Sequence, residues 1–147
     1  MRVWIDADAC PKWVKEILYK AAMRTQIIFT LVANRSLAIP LSPYIKKIQV
    51  PQGFDVADQK ILESMASGDL VVTADILLAD EVVNKGGVAL DPRGKLYTTE
   101  NMKQHLSTRN LNTELRNAGM LLGGPATLDK KAVQQFANNL DKYLTRV

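Results

Sequence analysis

The feature that most restricts this chain is a repeating unit: a short apolar run, a polar turn, then apolar residues at helical spacing. Val3-Trp4-Ile5 is the first run, and Trp13, Val14, Ile17, Leu18 and Ala21 follow it with helical periodicity. Pro11 suits the first helical position, where its missing amide would have been unpaired anyway. Ile27 to Ala33 reads as an interior parallel strand, and Ile48-Gln49-Val50 as a shorter one closed by Pro51 and Gly53. Asp55 is placed to cap a helix from about Val56 to Ser67, whose stripe is Ala57, Ile61, Leu62 and Met65 and which stops at Gly68. Leu70-Val71-Val72-Thr73 is the clearest strand, a helix spans Ile76 to Lys85, and Val88-Ala89-Leu90 leads into the Asp91-Pro92-Arg93-Gly94 turn. Strands alternating with helices predict an α/β fold, a three-layer α/β/α sandwich around a mostly parallel central sheet.

The last third has a different pattern. Helices are expected from Thr99 to about Leu106 and from Asn110 to Ala118. A longer one follows, capped by Thr127 and striped by Leu128, Val133, Phe136, Ala137, Leu140 and Leu144. At 147 residues the chain has the length of one ordinary domain. Residues 1–147 are therefore read as a single domain, with 99–147 a helical extension packed on its core.

Single copies of two residues narrow the chemistry. Cys10 alone excludes an internal disulfide framework and a Cys-rich zinc site, and His105 alone excludes sites that need two imidazoles. No segment approaches the ~18 unbroken apolar residues that a membrane helix requires. Asp6 stands where a secretion signal would carry its apolar core. The expectation is a soluble cytoplasmic protein without a membrane partner.

Charge is unevenly distributed. Residues 1–100 carry 12 basic and 12 acidic side chains, so the net charge of +4 comes from residues 101–147, with 7 basic and 3 acidic. Residues 17–54 contain no acid, but hold Lys20, Arg24, Arg35, Lys46 and Lys47. Acids clustered beside basic ground suit a metal site flanked by phosphate contacts.

In an open parallel sheet, ligands bind beyond the carboxyl ends of the strands. Asp6 and Asp8 follow the first strand and Asp75 follows the Leu70–Thr73 strand. Asp55 and Asp58 start a helix that enters from the same edge if the crossovers are right-handed. Asp80 and Glu81 come a turn and a half into the helix after Asp75, and as neighbours only one of them can face the cleft. Acids gathered on one edge repel one another unless a cation sits among them, and a hard ion, Mg²⁺ or Mn²⁺, is the natural choice. Thr73, two residues before Asp75, shares its side of the strand and is placed to orient a carboxylate or a water. The plainer reading makes Asp8, Asp55 and Asp75 helix caps, and Asp69 and Asp91 turn residues. Asp58 resists it, because it points towards the packed side of its helix. A catalytic Cys10 is disfavoured by the surrounding carboxylates and by the lack of an imbedded imidazole partner nearby in sequence.

The segments Asp6-Ala7-Asp8-Ala9-Cys10-Pro11, Asp55-Val56-Ala57-Asp58, Gly68-Asp69-Leu70-Val71-Val72-Thr73-Ala74-Asp75 and Asp91-Pro92-Arg93-Gly94-Lys95-Leu96-Tyr97 resemble the bacterial YaiI/YqxD family of uncharacterised proteins. That family in turn resembles the PIN-like group, whose better-known members are metal-dependent ribonucleases. The resemblance implies catalytic roles for Asp6, Asp58, Asp75 and Thr73. It implies a metal set drawn from Asp6, Asp8, Asp55, Asp58, Asp75 and Asp80.

The leading expectation is hydrolysis of RNA phosphodiesters with one or two Mg²⁺ or Mn²⁺ ions, Lys12, Arg35, Lys46, Lys47 and Arg93 contacting the nucleic acid. A haloacid-dehalogenase-like phosphatase using Asp6 as nucleophile is an alternative, since Asp6-Ala7-Asp8 resembles that group's start, but Cys10 stands where those enzymes favour Thr. A non-catalytic RNA- or protein-binding module is the other alternative, with the acids reduced to caps and ion-pair partners. A protein partner and the oligomeric state are not legible in the sequence.

Overall fold

The computed structural model describes residues 1–53, 55–102 and 130–145. Six strands form one sheet: β1 (Val3–Asp6), β2 (Phe29–Ala33), β3 (Ile45–Gln49), β4 (Leu70–Val72), β5 (Val88–Leu90) and β6 (Leu96–Tyr97). Their spatial order is β3-β2-β1-β4-β5-β6, parallel except for β6, which runs antiparallel to β5. The helices are α1 (Lys12–Thr25), α2 (Val56–Ser64), α3 (Ile76–Asn84) and α4 (Lys130–Leu144), with one 3-10 turn at Ala7–Ala9.

Alternation along the strands divides the core in two. Val3, Ile5, Phe29, Leu31, Leu70 and Val72 pack with α1 and α4. Trp4, Val32, Val71 and Ala89 point the other way and pack with Ile61 of α2 and Leu78, Ala79 and Val82 of α3. The central strands β1, β2 and β4 are buried along their whole length, which explains why, Thr30 and the terminal Asp6 apart, their residues are apolar. The predicted three-layer α/β/α architecture is therefore the observed one.

Boundaries shift where charge or brevity masks the pattern. β3 begins three residues before the predicted Ile48, because Lys46 and Lys47 interrupt its apolar run. Lysines suit this position: β3 is an edge strand, and charge on an edge discourages pairing with a second chain. β6 was not expected at all. Pro11, predicted as the first helical residue, is instead the N-cap of α1, which starts one residue later at Lys12.

In α4, Phe136, Leu140 and Leu144 are buried as their spacing predicts. The Phe136 ring meets Trp13 of α1 edge-to-face at 6.0 Å. The Asp91–Gly94 turn docks on the same helix, and Asn139 Nδ2 donates to the Gly94 carbonyl. Gly94 has φ +95°, and a Cβ there would lie 2.7 Å from Phe136 N, so only glycine fits. The predicted helices near 99–106 and 110–118, and the Thr127 cap and Leu128, lie wholly or mainly outside the described residues.

Candidate functional site

The strand order reverses between β1 and β4: the chain winds outwards through β2 and β3, then returns to β4 on the other side of β1. Ligand sites in open α/β sheets form at such a reversal, beyond the carboxyl ends of the strands. Asp6 ends β1 there. Because Ile5 pairs with Val72, the next step sets Asp6 opposite Thr73. Alternation turns both side chains to the α2/α3 face, the face of Trp4 and Val71.

Thr73 Oγ1 donates to Asp6 Oδ2 at 3.0 Å and accepts from the Asp75 amide at 3.0 Å. Its hydroxyl proton is thereby committed to Asp6. Asp75 Oδ1 accepts from Leu77 N at 2.9 Å, so this aspartate does cap α3, as the plainer reading held. Asp6 and Thr73 are both buried.

Asp58 lies in the first turn of α2, on the face of the sheet to which Asp6 points. Its carboxyl pKa is pushed up to about 6, first by burial, then by the charges of Asp6, Asp75 and Asp55 and by a hydrogen bond shared with Asp55. Asp6 is also raised, chiefly by burial and further by Asp8 and Asp75, against the lowering effect of the Thr73 hydroxyl. Like charges acting on a partly desolvated carboxyl give it a proton affinity that carboxylates rarely have near neutrality.

The other residues singled out in the sequence divide. Asp55 occupies the N-cap of α2 in a left-handed conformation (φ +61°) without a side-chain capping bond, which corrects its assignment as a cap. Asp8 caps no helix through its side chain: it accepts from Asn34 N at 2.8 Å and pairs with Arg35 at 3.6 Å. Asp80 is half-buried in α3 and is not among the charges that raise Asp6 or Asp58. Among the described residues, no three His, Cys, Asp or Glu side chains are grouped to hold a metal ion together. Of the basic candidates, Lys12 at the start of α1, Arg35 after β2 and Arg93 after β5 lie at the carboxyl edge of the sheet. Lys46 and Lys47 sit within the edge strand, and Lys47 Nζ donates to the Leu37 carbonyl at 2.7 Å. Cys10 is buried, which pushes its thiol up to about 12 and removes it from nucleophilic chemistry at neutral pH.

Asp69 is more than a turn residue. It is buried at the opposite edge of the sheet, and its carboxylate accepts from Arg2 N (3.1 Å), Trp4 Nε1 (3.1 Å) and Ala66 N (2.9 Å). No local spacing signals the first two, which come from more than sixty residues away.

The fold is an α/β/α sandwich with Asp6 and Asp75 at its switch point, and the comparisons give it a family. Residues 4–146 match the family described as "Uncharacterized BCR, YaiI/YqxD family", and the chain belongs to it. Over 99% of its length it is 58% identical to a "UPF0178 protein" of Maridesulfovibrio salexigens, covering 97% of that protein. It is 54% identical over its whole length to a "UPF0178 protein" of Shewanella amazonensis, of which it covers 99%. To one from Aeromonas hydrophila it is 56% identical over 99% of its length, covering 97% of the relative. No solved structure matches the chain. Among the described residues, no helix is long and apolar enough to cross a membrane.

Proposed function

We propose that this protein is a divalent-cation-dependent phosphodiesterase that cuts RNA, working from the Asp6, Asp58 and Asp75 carboxylates. The observation that carries the reading is the Asp6–Thr73–Asp75 hydrogen-bonded chain at the switch point, with Asp58 raised by burial and then by the Asp6 and Asp75 charges. An all-oxygen, mutually repelling donor set fits a hard ion such as Mg²⁺ or Mn²⁺. Mg²⁺ is commonly held by one or two carboxylates together with substrate phosphates, so a preformed cage of three side chains is not required. When bound, the cation supplies Lewis acidity at a phosphoryl oxygen and activation of water.

The chain's own residues have separable tasks in this reading. Asp6, Asp58 and Asp75 are the carboxylates of which one or two would hold the cation, substrate phosphates completing its shell. Thr73 fixes the Asp6 carboxylate, since its proton is given to Oδ2 and its lone pair to the Asp75 amide. Lys12, Arg35 and Arg93 meet backbone phosphates. The resemblance to PIN-like ribonucleases supports RNA as the substrate.

The test is cleavage of a labelled single-stranded RNA with Mn²⁺ by wild type and Asp75→Asn. Asparagine caps a helix as well as aspartate does, so α3 is preserved. Cleavage is expected in the wild type and lost in the variant; equal cleavage by both overturns the assignment. A binding module without catalysis is favoured by one feature, the capping role of Asp75. It predicts RNA affinity that survives both chelation and Asp75→Asn, with no cleavage by either protein.

A further inference from the structure

Beside the carboxylates, between the end of β3 and the outer side of α2, lies an open cavity of about 490 Å³. That volume is within the ~300–1,000 Å³ of ordinary small-ligand sites. Val50, Pro51 and Val56 give it an apolar lining, and Gln59 of α2 brings a carboxamide to it; the Gln49 side chain, on the same side of β3 as Ile45 and Lys47, turns to the other face of the sheet. Its third wall is Asp55 at the N-cap of α2, one turn before Asp58, so the cavity adjoins the carboxylate cluster.

Its charge says which part of a substrate belongs there. Asp55 and Glu63 outnumber Lys60 among the lining side chains, so a phosphate group would meet a net negative wall. An uncharged, flat group with donors and acceptors along its rim suits it better. Carboxamides offer a donor and an acceptor side by side, the arrangement that reads the edge of a nucleobase, adenine above all. Stacking usually comes from aromatic side chains; here the faces of Pro51 and the two valines take that part. Asp55 itself holds a left-handed backbone that a non-glycine residue rarely adopts, with no capping bond to recompense it.

We propose that this cavity is a nucleobase subsite, in which Gln59 reads the edge of the base adjoining the phosphate that a cation would hold at the carboxylates. The proposal deepens the phosphodiesterase reading and rests on it for the identity of the substrate. It adds base recognition at a position removed from the reacting atoms. Preference at this subsite then shapes where an RNA is cut.

The experiment is a two-dimensional NMR titration of the full chain, with chelator present, using adenosine 5′-monophosphate and, separately, ribose 5-phosphate. The side-chain amide signal of Gln59 is expected to shift with the nucleotide and stay still with the sugar phosphate. Gln59 is exposed, so Gln59→Leu leaves the fold intact; it is expected to weaken nucleotide binding at least tenfold. Equal shifts with both ligands, or nucleotide binding that Gln59→Leu leaves unchanged, overturn the subsite. The RNA cleavage assay is scored independently. Cleavage without a base-dependent response removes the subsite alone, whereas a base-dependent response without cleavage removes the phosphodiesterase reading and keeps the subsite.

Discussion

Two aspartates are buried among the described residues, at opposite edges of the sheet, and they are opposites. Asp69, at the amino edge, is surrounded by donors: two backbone amides and an indole N–H. Asp6, at the carboxyl edge, has the Thr73 hydroxyl, and its charged neighbours Asp8 and Asp75 are negative. Similar burial therefore has two meanings. A carboxylate whose lone pairs are filled by the fold is a structural joint. One left among like charges is held at a cost to stability, which a bound cation would relieve.

The largest effect should come from breaking the first of these. Asp69→Ala strands three donors that the carboxylate now satisfies and is expected to cost about 3 kcal/mol or more in a urea unfolding titration. Asp6→Asn keeps an acceptor for Thr73 while removing a repelled charge, so its stability should change little or rise. Similar losses in the two variants would erase the distinction between the edges.

A smaller loss should follow from Thr73→Val, which keeps the shape of the side chain. It removes the donor to Asp6 and the acceptor of the Asp75 amide, a loss of about 1–2 kcal/mol. It should also push the Asp6 carboxyl higher still, because the hydroxyl bond lowers it at present. NMR titration of the Asp6 carboxyl carbon reads this directly, and an unmoved midpoint would mean that Thr73 does not hold that carboxylate.

The contrast between the edges also explains what was legible in the sequence. Asp6 and Thr73 were visible because each ends an apolar run, and parallel pairing in register brings strand ends together. Asp58 was visible because it interrupts the packed side of an amphipathic helix. Asp69 was not, since Arg2 and Trp4 reach it only once β1 and β4 are paired. Asp55 looked like a cap because an aspartate precedes an apolar helical stripe, yet its backbone is left-handed and its side chain makes no capping bond. β6 has two residues, too few to show any period, and β3 was displaced by lysines whose value lies in its edge position. The layer architecture was read correctly because the largely apolar runs of the interior strands follow from burial on both faces.

The gentlest test is of pH. With chelator present, the Asp58 carboxyl titrates near 6 in the folded protein against 3.8 for an unshifted aspartate. The folded state thus binds this proton more tightly than the unfolded state does. Its contribution to stability is greatest below about pH 4, declines as pH rises towards 6, and is flat above. Asp58→Asn carries no such proton, so the melting temperature of the variant should fall less than that of the wild type across this window. The Asp6 carboxyl, raised in the same direction, leaves a residual slope in both proteins. Saturating Mn²⁺ at pH 7 should then raise the melting temperature of the wild type more than that of the variant, because the cation relieves a repulsion that Asp58→Asn has already reduced. If the two proteins show the same pH slope and the same response to Mn²⁺, Asp58 does not share the electrostatics of Asp6 and Asp75, and the carboxyl edge is no more a site than the amino edge.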